Sequence, residues 1–230
     1  MSLKAVLFDF NGVIVKDQSI NLHLIDEILI QENLQPQRVQ ERQSSLGRSD
    51  RAYLQELFNH RGRILTEAYL IQLLNRKAQG YIMELEKLEK LPLYSGIEDV
   101  IFQLRSRDLK IGLVSGALRQ EIEFVLKRAN LHEYFSVIVP GDDLTTSKPE
   151  PDGYKLSVQQ LNQLYPDLNL QPNECLAIED TPAGMMAAKR ARMQVVGVAN
   201  TYPFHIVQRQ ADWTVDYLND LELERIQETF

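Results

Sequence analysis

From Pro92 onward the chain alternates short apolar runs with stretches of helical periodicity, and this alternation limits the fold more than any other feature. The apolar runs lie at 110–114, 137–139, 176–178 and 195–198. Helical patterns stand between them: one opens near Ser95-Gly96 and carries Val100, Ile101 and Leu104, and others cover 121–127, 152–164 and 183–192, with a last one after Asn219. Strands that alternate with helices join through βαβ crossovers, which build a parallel sheet covered on both faces. The expected class is therefore α/β, a Rossmann-like doubly wound parallel sheet. One more strand, 4–10, comes before a long helical zone from about Asp17 to Lys90. In that zone Ile20, Leu24, Ile25, Ile28 and Leu29 form one apolar stripe, and Ile82, Leu85, Leu88 and Leu91 form another. Gly47 interrupts it, and Ser49 or Asp50 is placed to cap the helix through Tyr53, Leu54 and Leu57. The expected organisation is an α/β core of residues 1–16 and 92–230, with an all-α cap of residues 17–91 inserted after the first strand, where it can act as a lid.

The formal net charge of -7 disfavours nucleic-acid binding, which calls for a basic footprint. Arg61, Arg63 and the cluster Lys189-Arg190-Ala191-Arg192 read as solvated faces rather than phosphate contacts. The single cysteine, Cys175, cannot form an internal disulfide and lies in an apolar run, so it reads as a buried inert thiol in a reducing compartment. No run has the length of a membrane span and no secretory leader is evident. The expectation is a cytoplasmic protein with no nucleic-acid or membrane partner. The leucine-rich end of the helical zone is accounted for by packing within the cap, which favours a monomer.

Four short elements stand where strands end: Asp9 and Asn11, then Ser115-Gly116, then Lys148-Pro149, then Glu179-Asp180. Each alone is generic: a strand-end acid, a turn, a loop lysine, a helix start with an N-terminal carboxylate. Together and in this order they describe a crevice above the carboxyl ends of a parallel sheet, where such folds bind ligands.

The chain resembles the haloacid dehalogenase superfamily, in the branch with a helical cap after the first strand that holds phosphatases and sugar-phosphate mutases. The resemblance spans essentially the whole length. It is carried by Asp9-Phe10-Asn11-Gly12-Val13-Ile14, Lys148-Pro149-x-Pro151-Asp152-x-Tyr154 and Glu179-Asp180-Thr181-x-Ala183-Gly184. It implies that Asp9 attacks phosphorus to form an aspartyl-phosphate, and that Ser115, Gly116 and Lys148 hold the phosphoryl oxygens. It further implies Mg²⁺ held by Asp9, Asp180 and the backbone carbonyl of Asn11, with Glu179 nearby or acting through water. The chemistry agrees, because a hard cation suits a carboxylate cluster and no Cys/His cluster is offered for zinc.

The departure is Asn11, where the family's phosphatases carry the aspartate that protonates the leaving group and activates water. An amide keeps the backbone carbonyl but loses the proton shuttle, worth about 10²–10⁴ in rate. Three expectations follow. The chain is a hydrolase of small phosphorylated molecules with good leaving groups, acyl phosphates or phosphoanhydrides, or it borrows an acid from the cap, where His23, Arg48 and His60 are candidates. Alternatively it binds phosphorylated ligands without turnover. Asn11-Gly12 is also a deamidation-prone pair that could yield aspartate. Glu179-Asp180 argues against a dehalogenase, and Arg48 and Arg51 cannot form the Schiff base of a phosphonatase. Asn21 stands where the mutases have histidine. Arg48 and Arg51 are candidates to recognise an anionic part of the substrate or to cap the cap's own helices.

Overall fold

A computed structural model describes residues 2–230. The chain begins with β1 (Ala5–Phe8) and then runs through four consecutive helices. These are α1 (Gln18–Gln31), α2 (Val39–Ser45), α3 (Asp50–His60) and α4 (Glu67–Glu86). There follow α5 (Ile97–Ser106), β2 (Lys110–Val114), α6 (Arg119–Arg128), β3 (Val137–Val139) and α7 (Asp152–Leu164). The chain finishes through β4 (Cys175–Glu179), α8 (Pro182–Arg190), β5 (Gln194–Val198), α9 (Phe204–Val207), β6 (Trp213–Val215) and α10 (Leu223–Gln227). The strands form one parallel sheet in the order β3-β2-β1-β4-β5-β6. The α/β reading of the sequence holds. Three elements were not legible. α2 buries no residue and so has no apolar stripe, α9 is a single turn, and β6 has three half-buried residues.

Period-two alternation fills both faces of the sheet. Val6, Phe8, Ile111, Leu113, Leu176 and Ile178 point to one side, where α5, α6 and α10 cover them. Ala5, Leu7, Val114, Cys175, Ala177 and Val195 point to the other, beneath α7 and α8. Cys175 is buried there as the sequence suggested, and burial pushes its thiol up to about 12. The inserted helices carry their own core, in which Ile25, Ile28 and Leu29 meet Leu54, Phe58, Leu73 and Leu74. Leu24, Tyr81 and Leu85 from the same helices join the sheet-side core instead, tying insertion to sheet. Arg61 differs from its reading as a solvated face. Its guanidinium grips both oxygens of Glu41 and the carbonyls of residues 35 and 36, closing the α1–α2 connection.

β1 is central, and the order of strands reverses around it: the chain passes to β2 and β3 on one side and returns to β4 on the other. Phe8 pairs in register with Leu113 of β2 and with Ile178 of β4. The residues that follow these three therefore emerge at one level, at the switch point where such sheets bind ligands.

Candidate active site

At that level the structure brings Asp9, Ser115, Lys148, Glu179 and Asp180 together, all buried. Lys148 sits at the centre. Its ammonium donates to Glu179 Oε1 (2.6 Å), Asp9 Oδ1 (2.9 Å) and the Val114 carbonyl (3.1 Å), so its three donors are all engaged. Burial by itself would lower the Lys148 ammonium, but the Asp9 and Glu179 charges outweigh it and hold the group above its ordinary value. Lys148 is thus permanently cationic beside the nucleophile candidate.

Asp9, Glu179 and Asp180 each present a carboxylate oxygen within 4.8 Å of the others. Glu179 Oε1 accepts from Lys148 and from the Tyr154 hydroxyl (2.5 Å), whereas Oε2 has no partner among the described residues. Asp180 Oδ2 accepts from the Thr201 hydroxyl, and its Oδ1 has no partner among the described residues. Each carboxylate is thus oriented by one oxygen and leaves the other bare in the interior, the pattern of an oriented cation ligand. Burial, then the neighbouring Asp9 charge, pushes Glu179 up to about 7, and the same causes drive Asp180 well above its usual range. Three carboxyls crowded this way call for a divalent cation. Gly12 allows the close approach. Its φ is +84°, and a Cβ there would lie 1.9 Å from Asp180 Oδ2.

Asn11 is held in a definite orientation. Its Nδ2 donates to Asp17 Oδ2 (2.7 Å), and its Oδ1 faces the Ser115 hydroxyl at 3.5 Å. Ser115 Oγ in turn accepts from the Ala117 amide (3.0 Å). Asp17 Oδ2 also accepts from the Tyr81 hydroxyl (2.6 Å), while Asp17 Oδ1 has no hydrogen-bond partner among the described residues; burial raises the Asp17 carboxyl. The sequence reading missed Asp17, because an acidic residue before a helix reads as its N-cap. Here it makes no capping bond and turns to Asn11 instead. Lys77 was missed too, although its spacing from Leu73, Leu74 and Tyr81 puts it on the buried stripe of α4.

A cavity of about 100 Å³ opens between the sheet's carboxyl edge and the inserted helices, bounded by Asp9, Asn11, Asp17, Arg48, Gly116 and Asp180 among others. Ser49 caps α3, as expected, and presses the loop that carries Arg48 onto Gly116. Arg48 pairs with Glu56, and Arg51 with Glu67. His23 is exposed beside Glu27, His60 is exposed at the end of α3, and neither borders the cavity.

A profile of the family described as haloacid dehalogenase-like hydrolase matches residues 6–198. The chain belongs to this family. A β-phosphoglucomutase from Bacillus subtilis (strain 168) is 30% identical over 227 residues, covering 98% of this chain and 95% of that protein. A pyrophosphatase, PpaX, from Listeria monocytogenes is 29% identical over 130 residues, 56% of this chain and 57% of its own length. The solved β-phosphoglucomutase from Clostridium difficile superposes with a TM-score of 0.84 over 98% of this chain and 96% of its own, at 24% identity. The haloacid dehalogenase-like assignment makes the chain a phosphatase-type hydrolase with a Rossmann-like core. Among its described residues no helix is long and apolar enough to cross a membrane.

Proposed function

We propose that the chain is a Mg²⁺-dependent phosphohydrolase that works through an aspartyl-phosphate on Asp9 and favours leaving groups that depart without a proton. The observation that carries this reading is the buried set Asp9, Glu179 and Asp180 around the Lys148 ammonium, with Glu179 Oε2 and Asp180 Oδ1 bare. Those oxygens and Asp9 fit a hard divalent cation, with the Asn11 carbonyl as a further ligand. Bound Mg²⁺ would supply positive charge for the phosphoryl oxygens.

An Asp9 carboxylate oxygen attacks phosphorus, the bond from phosphorus to the leaving oxygen breaks, and its electron pair stays on that oxygen. Lys148, 2.9 Å from Asp9 Oδ1, neutralises the charge that spreads over the phosphoryl oxygens. Ser115 Oγ accepts from the Ala117 amide and donates weakly to Asn11 Oδ1 at 3.5 Å, a long bond that it can exchange for one to a phosphoryl oxygen. Water then forms a new bond to phosphorus as the bond from phosphorus to the Asp9 oxygen breaks; that electron pair restores the carboxylate, and both protons of the water leave on the phosphate. Asn11 supplies no proton to the first step, and the cap histidines stand away from the cavity. Acyl phosphates and anhydrides suit such a site, and the pyrophosphatase relative is in keeping with anhydride chemistry. The exchange of Asp for Asn at position 11 also leaves a second reading, a phospho-ligand binder without turnover.

Acetyl phosphate and an alkyl phosphate, assayed with and without Mg²⁺, separate the two. The expected result is metal-dependent turnover of acetyl phosphate, slower by about 10² or more with the alkyl ester. Asp9→Asn is expected to remove roughly 10³-fold or more of the activity. Absence of turnover with both compounds, together with binding that survives Asp9→Asn, would establish the binder instead.

A further inference from the structure

An attacking water has to shed a proton, and the cavity is poor in groups able to take one. Among the described residues that border it there is no histidine, and the carboxylates are Asp9, Asp17, Asp50 and Asp180. Asp9 is the nucleophile, and Asp180 belongs to the carboxylate cluster that fits a cation. Asp50 Oδ2 accepts from Lys77 (2.8 Å). Asp17 is 1% exposed; its Oδ2 is taken by Asn11 Nδ2 and the Tyr81 hydroxyl, and the Asn21 side chain faces the same carboxylate. The Asn11 amide stands between Asp17 and the phosphoryl side of the site. Its Nδ2 meets Asp17 (2.7 Å) while its Oδ1 faces Ser115 Oγ (3.5 Å). That oxygen accepts a hydrogen bond from an entering water but does not take its proton.

An acid anion makes no such demand. A carboxylate or phosphate that leaves phosphorus with the electron pair of the broken bond returns as a nucleophile in the same ionic form, through the same transition state. A site that releases these groups without an acid therefore takes them back without a base. Water is at a disadvantage, because the general-base assistance it needs, worth about 10²–10⁴ in rate, is missing. Arg48 borders the cavity and engages Glu56 through one N–H, which leaves its other N–H groups to meet an entering anion.

We infer that the chain is also a phosphotransferase between acid anions, carrying a phosphoryl group through Asp9 from one carboxylate or phosphate to another faster than to water. The inference rests on the aspartyl-phosphate reading and extends it. In the first step an Asp9 oxygen bonds to phosphorus as the bond to the donor's acyl oxygen breaks, and the donor leaves as a carboxylate. In the second an oxygen of the acceptor carboxylate bonds to phosphorus as the bond to Asp9 breaks, and that electron pair restores the Asp9 carboxylate. Neither step gains or loses a proton. Alcohols, which must shed one, fall outside the acceptor class.

The test incubates the protein with acetyl phosphate, Mg²⁺ and saturating isotopically labelled acetate, and follows by NMR both the label entering acetyl phosphate and the phosphate released. Label is expected to enter about tenfold or more faster than phosphate appears, and glycerol in place of acetate is expected to give no glycerol phosphate. Asn11→Asp supplies a base for water and is expected to lower the ratio of exchange to hydrolysis roughly 10²-fold. Asn11→Asp combined with Asp17→Asn repeats the comparison in case the single variant folds poorly. Phosphate release without entry of label would overturn the transferase and leave the hydrolase reading standing. Glycerol phosphate formed as fast as label enters would overturn it too, since a base would then be at work. Neither exchange nor hydrolysis by the parent would sink both readings together.

Discussion

Asn11 donates its amide to Asp17 at 2.7 Å in a part-buried setting, and the consequences for substitutions at either position are specific. Asn11→Asp brings a carboxylate into contact with the Asp17 carboxylate and removes the donor that Asp17 Oδ2 uses. The expected cost is about 1–3 kcal/mol of stability, read from urea unfolding midpoints. Asn11→Asp with Asp17→Asn restores a carboxylate–amide pair with the partners exchanged, and recovery of most of that loss is expected; a double variant no more stable than Asn11→Asp alone would show that the contact is not the cause. The same geometry bears on deamidation, which requires the Gly12 nitrogen to attack the Asn11 side chain. In the fold the Gly12 amide donates to the Val15 carbonyl (2.9 Å) and the Asn11 side chain is held by Asp17. Deamidation is therefore expected to be slow in folded protein and fast after denaturation, and peptide mass spectrometry of the two samples checks it.

At the scale of elements, α4 and α6 meet through charge. Lys77 on α4 is buried between Asp50 of α3 and Glu121 of α6, and Glu121 also accepts from the Leu118 amide at the start of its helix. Lys77→Met leaves two carboxylates facing each other without their cation, a loss expected to reach about 3–5 kcal/mol, measurable by thermal or urea unfolding. Burial first, opposed by Lys77 and reinforced by Asp50, pushes Glu121 up to about 7. The folded state therefore holds this proton more tightly than the unfolded chain does. The stability from that preference is complete below the unfolded carboxyl value and is lost as the pH rises through about 7. Melting midpoints between pH 4.5 and 7.5 should fall more steeply for the parent than for Glu121→Gln; equal slopes would contradict the assignment.

On the scale of the whole molecule, the loop between α2 and α3 is pressed onto the turn after β2. A Cβ at Gly116 would lie 2.7 Å from the Arg48 carbonyl and from Ser49 Cα, both backbone atoms with little room to yield. Gly116→Ala is thus expected to displace the inserted helices from the sheet edge and to lower kcat/KM by roughly 10²-fold, while the circular-dichroism spectrum is retained. Much of the candidate site was legible in the sequence, because Asp9, Ser115 and the pair Glu179-Asp180 stand at the ends of apolar runs, a local property, while Lys148 lies in a loop and was found by its Lys-Pro motif. The family resemblance supplied their roles and marked Asn11 as the departure. Asp17 was not legible, because local rules give it to its own helix as a cap, and only the return of Tyr81 and Asn11 to one place shows where its carboxylate turns. Arg48 was legible as a cation near the site but not as Glu56's partner. The sequence by itself determined the parallel sheet and the run of helices after its first strand, since alternation depends on neighbours along the chain. Tertiary structure alone decided which acceptors stay bare and which cations are already paired. Those depend on contacts between residues far apart in sequence, and no period or motif records them.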